Sequence, residues 1–163
     1  MTSIFFFFIL KIVKFLTVFF LFLQIFPFLK IDSKVYPQKL APGRSATLYI
    51  YVSPYRADVL LYSFPPLKVY ITKKDAVIFS KDFYTAFDLK LIEEGQQNKS
   101  LPLRLKKPLA IPFTVAEEVS PGPHVIKGEL EFAVCSVKEP WCVKTRQPFE
   151  AVFFVKSYIR RRR

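Results

Sequence analysis

Two hydrophobic patterns divide the chain. From Ile4 to Leu29 nearly every residue is Phe, Leu, Ile or Val, broken only by Lys11, Lys14, Thr17, Gln24 and Pro27. Beyond Lys30 the apolar residues come instead in short runs that alternate with polar ones, the period of strands with one buried face. Residues 46–52 set Ala46, Leu48, Ile50 and Val52 against Thr47, Tyr49 and Tyr51. Residues 124–134 set Leu130, Phe132 and Val134 against Glu129, Glu131 and Ala133. Shorter strands are predicted over 58–62, 67–72, 76–80, 101–105, 110–116 and 149–155, with a weakly alternating stretch at 87–92. Pro42-Gly43, Pro54, Pro65-Pro66, the 73–75 turn, the polar stretch 93–100 and Pro121-Gly122-Pro123 punctuate them. Seven to nine short strands without a 3.6-residue period predict an all-β fold, an antiparallel sandwich, over residues 32–157.

The first 30 residues read as a signal peptide or a membrane anchor. Residues 15–23 have about the length of a signal-peptide hydrophobic region, and Lys11 and Lys14 form its positive flank. The whole run of 4–29 is long enough to cross a bilayer, which takes roughly 20 apolar residues. No pair of small residues near 26–33 marks a processing site, which favours the uncleaved anchor. In either case the lysines stay in the cytoplasm and the rest is periplasmic or otherwise extracytoplasmic.

Charge changes the picture little. The chain carries a formal +12, but between residues 32 and 157 there are eighteen basic and thirteen acidic residues, a net of about +5. That is a basic domain without a nucleic-acid signature, and no nucleic-acid partner is expected. Arg160 to Arg163 form a basic tail, 158–163, which reads as a solvated end with lipid headgroups as its natural polyanion.

Enzyme signatures are missing. Four glycines, one histidine and two cysteines provide no phosphate-binding loop, nucleophile elbow or zinc ligand set, so no cofactor or metal is expected. His124 reads as a strand-end surface residue. What remains is Cys135 and Cys142, separated by six residues that include Pro140. Outside the cytoplasm an even cysteine count favours a disulfide. Closing so short a loop stabilises by roughly 2 to 3 kcal/mol in the chain-entropy picture. From the residues alone, a redox-active pair and a structural staple are equally good readings.

The run LPLRLKKPLAIPFTVAEEVSPGPHVIKGELEFAVCSVKEPWC resembles the N-terminal (alpha) domain of the DsbD-type thiol:disulfide interchange protein. An apolar strand at 111–115, a Pro-Gly turn, a strand ending in Cys135, a short loop and Cys142 carry the resemblance. Leu40-Ala41-Pro42-Gly43, Phe64-Pro65-Pro66-Leu67 and Asp82-Phe83-Tyr84 extend it over about residues 34–156. The loop between the cysteines is one residue longer than is usual in the family. The resemblance implies an immunoglobulin-like fold whose Cys135 and Cys142 cycle between dithiol and disulfide. Electrons would arrive from a membrane thiol:disulfide conductor and leave to thioredoxin-like periplasmic proteins. Cys142 is the better candidate for the mixed disulfide and Cys135 for its resolution. Phe83 and Tyr84 would form a cap shielding the bond, helped by Trp141; the alternative is that Phe83 packs in the core and Trp141 props the loop. Lys138, Lys144 and Arg146 would favour a thiolate and Glu139 oppose it, unless they are simply solvated. The rival function is a non-catalytic immunoglobulin-like binding module with a structural disulfide.

Overall fold

The computed structural model describes residues 28–63, 65–74, 76–93, 95, 100–103, 105 and 107–157. Most of the apolar N-terminal segment, Asp75 of the expected turn, most of the polar stretch at 93–100 and the basic tail 158–163 lie outside the described residues. Among the described residues no helix is long and apolar enough to cross a membrane.

Alternating apolar residues form strands here because each strand buries one face and leaves the other to water. The strands are β1 (Leu29–Tyr36), β2 (Lys39–Leu40), β3 (Ser45–Pro54), β4 (Val59–Tyr62), β5 (Lys68–Lys73) and β6 (Val77–Phe79). They continue with β7 (Phe83–Thr85), β8 (Pro102–Leu103), β9 (Leu109–Val115), β10 (Gly122–Ser136) and β11 (Cys142–Val155). One sheet has the order β1-β3-β9-β6; the other runs β2-β11-β10-β4-β8, with β5 on β10 and β7 on β5. All pairings are antiparallel except that of β2 with β11. Leu48, Ile50, Ile111 and Phe113 of the first sheet and Ile126, Leu130, Phe132 and Phe153 of the second belong to one buried core. The rings of Phe113 and Phe153 meet across it at 5.9 Å. The described residues therefore form an all-β, largely antiparallel two-sheet sandwich.

β10 and β11 form its central hairpin, in register from Gly122↔Val155 to Cys135↔Cys142. β10 is long enough to take two partners on its other edge, β5 beside Lys127–Glu131 and β4 beside Ala133–Ser136. Gly128 sits at the irregularity between β10 and β5. A Cβ there would lie 2.3 Å from both the Phe149 ring and the Tyr70 carbonyl oxygen, so only glycine lets these elements close.

Four differences from the sequence pattern have physical reasons. The domain begins earlier than residue 32: Leu29 starts β1 and is 1% exposed, its apolarity serving the core. β11 begins at Cys142 rather than 149. Phe154 N donates to Gln38 O on the side away from β10, and Pro148, of the same parity, turns its nitrogen to that outer edge, where no ladder donor is lost. Residues 87–92 form no strand. A single helical turn stands there, with Leu89 N donating to Thr85 O, Asp88 Oδ2 accepting from Thr85 N and Oγ1, and Thr85 Oγ1 accepting from Asp88 N. Lys90 closes the turn with φ 56°. Finally, Phe83–Thr85 is a strand, not a loop, added to the edge of β5.

Candidate functional site

The two cysteines end β10 and begin β11, directly opposite each other, and are joined by a disulfide with a Cα–Cα separation of 4.0 Å. Next to them Ser136 N donates to Trp141 O at 3.1 Å, so the bond clamps the last closely spaced, non-hydrogen-bonded pair of the ladder. Cys142 is exposed and Cys135 half-buried.

The loop beyond is wired to itself. Ser136 Oγ accepts from Lys138 N at 3.2 Å and Glu139 N at 3.0 Å. Trp141 donates its backbone N–H to Glu139 O and its indole N–H to Glu139 Oε2, both at 2.8 Å. The loop is also fastened to the β3–β4 connection, where Val137 N donates to Asp58 O at 2.8 Å. Arg56 donates to both carboxylate oxygens of Asp58, at 3.0 and 2.7 Å, and holds its pKa below the ordinary value. Trp141 packs partly against the core and meets the Phe28 ring at 5.7 Å. It props the loop.

Phe83 and Tyr84 stand elsewhere. They pair with Tyr70 and Val69 of β5, which in turn face Glu129 and Leu130 of β10. That is five to six residues from Cys135 along β10, or about 17–20 Å of strand, and two strands to the side. Tyr84 is buried in the core, and Phe83 lies exposed against Tyr70 at 5.9 Å, with Lys68 Nζ over its ring at 5.6 Å. The structure brings Trp141 and the cysteines together and does not bring Phe83 or Tyr84 to the sulfurs.

Charges near the site are also spoken for. Glu131, on the outer face of β10, is 4% exposed. Lys144 reaches it at 3.0 Å and Arg146 at 2.7 Å, while the Arg146 guanidinium stacks on Tyr70 at 4.9 Å. Burial acts to raise the Glu131 pKa, but the bonds from Lys144 and Arg146 outweigh it and hold the carboxyl below its ordinary value. Two of the three cations expected beside a thiolate therefore belong to a carboxylate network. The alternation of 129–134 placed Glu131 on a solvated face; the pairing of Cys135 with Cys142 carries the missing signal, since counting back four residues on each strand sets Glu131 opposite Arg146. His124 shares a hydrogen bond with Ser120 O and lies beside the Phe153 ring. Among the described residues no three His, Cys, Asp or Glu side chains are grouped as a metal ion requires.

No protein-family model matches the chain, and no curated protein sequence matches it. Solved structures show distant similarity. The chain is 15% identical to BcpA, the major pilin subunit of Bacillus cereus, over 78% of its own length and 40% of the pilin chain, with a TM-score of 0.35. It thus spans less than half of that pilin. It is 10% identical to a chain of a type I cohesin–dockerin complex from Clostridium thermocellum, covering 78% of itself and 99% of that chain, TM-score 0.34. A conjugative transposon lipoprotein from Bacteroides eggerthii is 10% identical over 72% of this chain and 96% of its own, TM-score 0.26. None of these three is described as a thiol:disulfide interchange protein.

Proposed function

We propose that residues 28–157 form an exported immunoglobulin-like domain that acts as a non-catalytic binding module, with the Cys135–Cys142 bond as a structural clasp. The wiring of the loop carries the proposal. Its polar groups bond one another and the β3–β4 connection, and Lys144 and Arg146 bond Glu131. A clasp of this kind presents Val137, Lys138 and Pro140 in one shape, which lowers the entropic cost of recognition by the loop.

The test is the reduction potential of the pair, measured in thiol buffers of known poise, together with the single variants Cys135→Ala and Cys142→Ala expressed in cells. A clasp has a potential below about −300 mV, and neither variant accumulates a disulfide-linked partner. A higher potential with a trapped thioredoxin-like protein overturns the proposal.

The exposure of Cys142 favours a second role, the thiol exchange implied by resemblance to the DsbD-type alpha domain. A thiolate of a membrane-bound conductor would attack Cys142 Sγ, forming a mixed disulfide and releasing Cys135 as a thiolate. A second thiolate of the conductor would then displace Cys142, leaving the pair as a dithiol and the conductor oxidised by two electrons. The reverse sequence would reduce a thioredoxin-like periplasmic protein.

A further inference from the structure

We infer that the end of the sandwich bearing the disulfide loop docks on the surface of a lipid bilayer. Three segments meet there. Phe28, where the described chain begins, accepts a hydrogen bond from Tyr55 N at 3.1 Å. Its ring meets Trp141 at 5.7 Å, and Val137 N reaches back to Asp58 O at 2.8 Å. The β1 start, the β3–β4 connection and the β10–β11 loop thus form one surface.

That surface carries apolar side chains that the fold leaves in water. Tyr55 is 59% exposed and Val137 65% exposed, beside the half-buried Phe28 and Trp141. Tyr and Trp next to aliphatic side chains suit the boundary between lipid headgroups and acyl chains, where an amphipathic ring has one end apolar and the other wet.

The occupant follows from where the chain leads. Immediately before Phe28 lies the run from Ile4 to Pro27, made almost wholly of Phe, Leu, Ile and Val. Docking rests on the reading of the apolar run as a membrane segment, cut back to residues 4–26 because Leu29 belongs to β1 and the core. Pro27 and Phe28 provide only about 7 Å of extended chain between such a segment and β1. A domain on so short a tether cannot stand clear of the membrane, and the end it turns downward is the one with Tyr55 and Val137.

Charge makes the contact an apolar one. Arg56 is paired with Asp58, and Lys138 is offset by the adjacent Glu139 carboxylate, so these two loops add little net charge at this end. Binding should therefore depend weakly on salt, unlike attachment by a polybasic patch. The basic tail is not part of this surface. β11 has 14 residues and carries the chain about 45 Å from Cys142 before the tail begins. Docking would hold the exposed Cys142 near the headgroup plane, open to a partner that is itself at the membrane.

Trp141 is the one tryptophan in the chain and reports on this surface directly. The full chain is reconstituted into phosphatidylcholine vesicles with and without bromine on the upper acyl chains, and its flotation and tryptophan emission are measured. Brominated lipid is expected to quench Trp141 roughly twofold, as for an interfacial indole, at low and high salt alike. The double variant Tyr55→Ser, Val137→Ser, altered only at exposed positions, should float equally well and show weaker quenching than the wild-type chain; equal quenching in the two overturns the contact through Tyr55 and Val137. A chain that floats without quenching overturns docking while leaving the membrane segment intact. Failure to float overturns both. Quenching that high salt abolishes overturns the apolar contact.

Discussion

The two ends of the β10–β11 hairpin are held in different ways. Toward Val155 the inward residues Phe149, Ala151, Phe153 and Val155 are all buried, Gly128 admits the Phe149 ring, and β2 covers the edge of β11. Toward Cys142 the inward residues Val143, Thr145 and Gln147 are exposed or half-buried. Order there comes from a covalent bond, a salt-bridged carboxylate and a self-bonded loop. One ladder can thus be fixed by burial at one end and by specific bonds at the other. Burial is shared by many residues and sustains the whole fold, whereas specific bonds fix only what they touch. At the end that presents the loop the core draws on β10, through Phe132 and Val134, and not on the first residues of β11.

The contrast breaks most visibly at the buried end. Phe153 is fully buried against Phe113 and His124, and Phe153→Ala should cost about 3 to 5 kcal/mol in denaturant unfolding. Gly128→Ala should cost at least about 2 kcal/mol, because one of the colliding atoms is backbone and cannot rotate away. If either variant unfolds at the wild-type denaturant concentration, the core is not centred where these contacts place it.

Removing the disulfide is the matching test at the other end. Cys135→Ala with Cys142→Ala should lower stability by about 2 kcal/mol, the chain-entropy value for a short loop. Hydrogen exchange sharpens it: amides at 142–146 should lose protection while those at 149–155 keep theirs. Equal loss at both ends would mean that the clasp supports the entire hairpin.

A smaller effect separates the salt-bridged stretch from both. The Glu131 pKa is lowered in the folded state, so the unfolded chain binds its proton more readily and acid favours unfolding. Its contribution is complete above the ordinary carboxylate value and is lost as pH falls through the lower folded value. Glu131→Gln should cost about 1 to 2 kcal/mol at neutral pH and flatten the stability profile on the acid side of pH 4. An unchanged acid limb would move the pH dependence elsewhere, first to Asp88, whose pKa Lys81 and Thr85 hold at about 2.

The smallest change lies off the hairpin. Lys90 occupies a left-handed conformation, which glycine adopts without steric cost. Lys90→Gly should shift stability by less than about 1 kcal/mol and leave exchange protection along β10 and β11 as it was.

Legibility from sequence follows the same division. β3, β9 and the inward face of β10 were plain in the alternation because their buried faces are apolar throughout. The outer half of β11 was not, since its inward positions lie at the rim of the sandwich and need no hydrophobicity, and Pro148 looks like a break until its nitrogen is known to face the free edge. The strand of Phe83 and Tyr84 was not legible, and the resemblance implied a cap there, because a three-residue edge strand owes its form to β5 rather than to its own pattern.

The sequence by itself determined an all-β domain after the apolar N-terminal segment, the position of β3, β9 and β10, the apolar character of the first residues and the two cysteines as its distinctive chemistry, since local period and residue type suffice for these. Only the tertiary structure decided that Cys135 and Cys142 face each other across a ladder, that Lys144 and Arg146 belong to Glu131, and that Phe28, Tyr55, Val137 and Trp141 share one end. Each of those depends on strand register and on segments far apart in the chain, which a one-dimensional pattern does not carry.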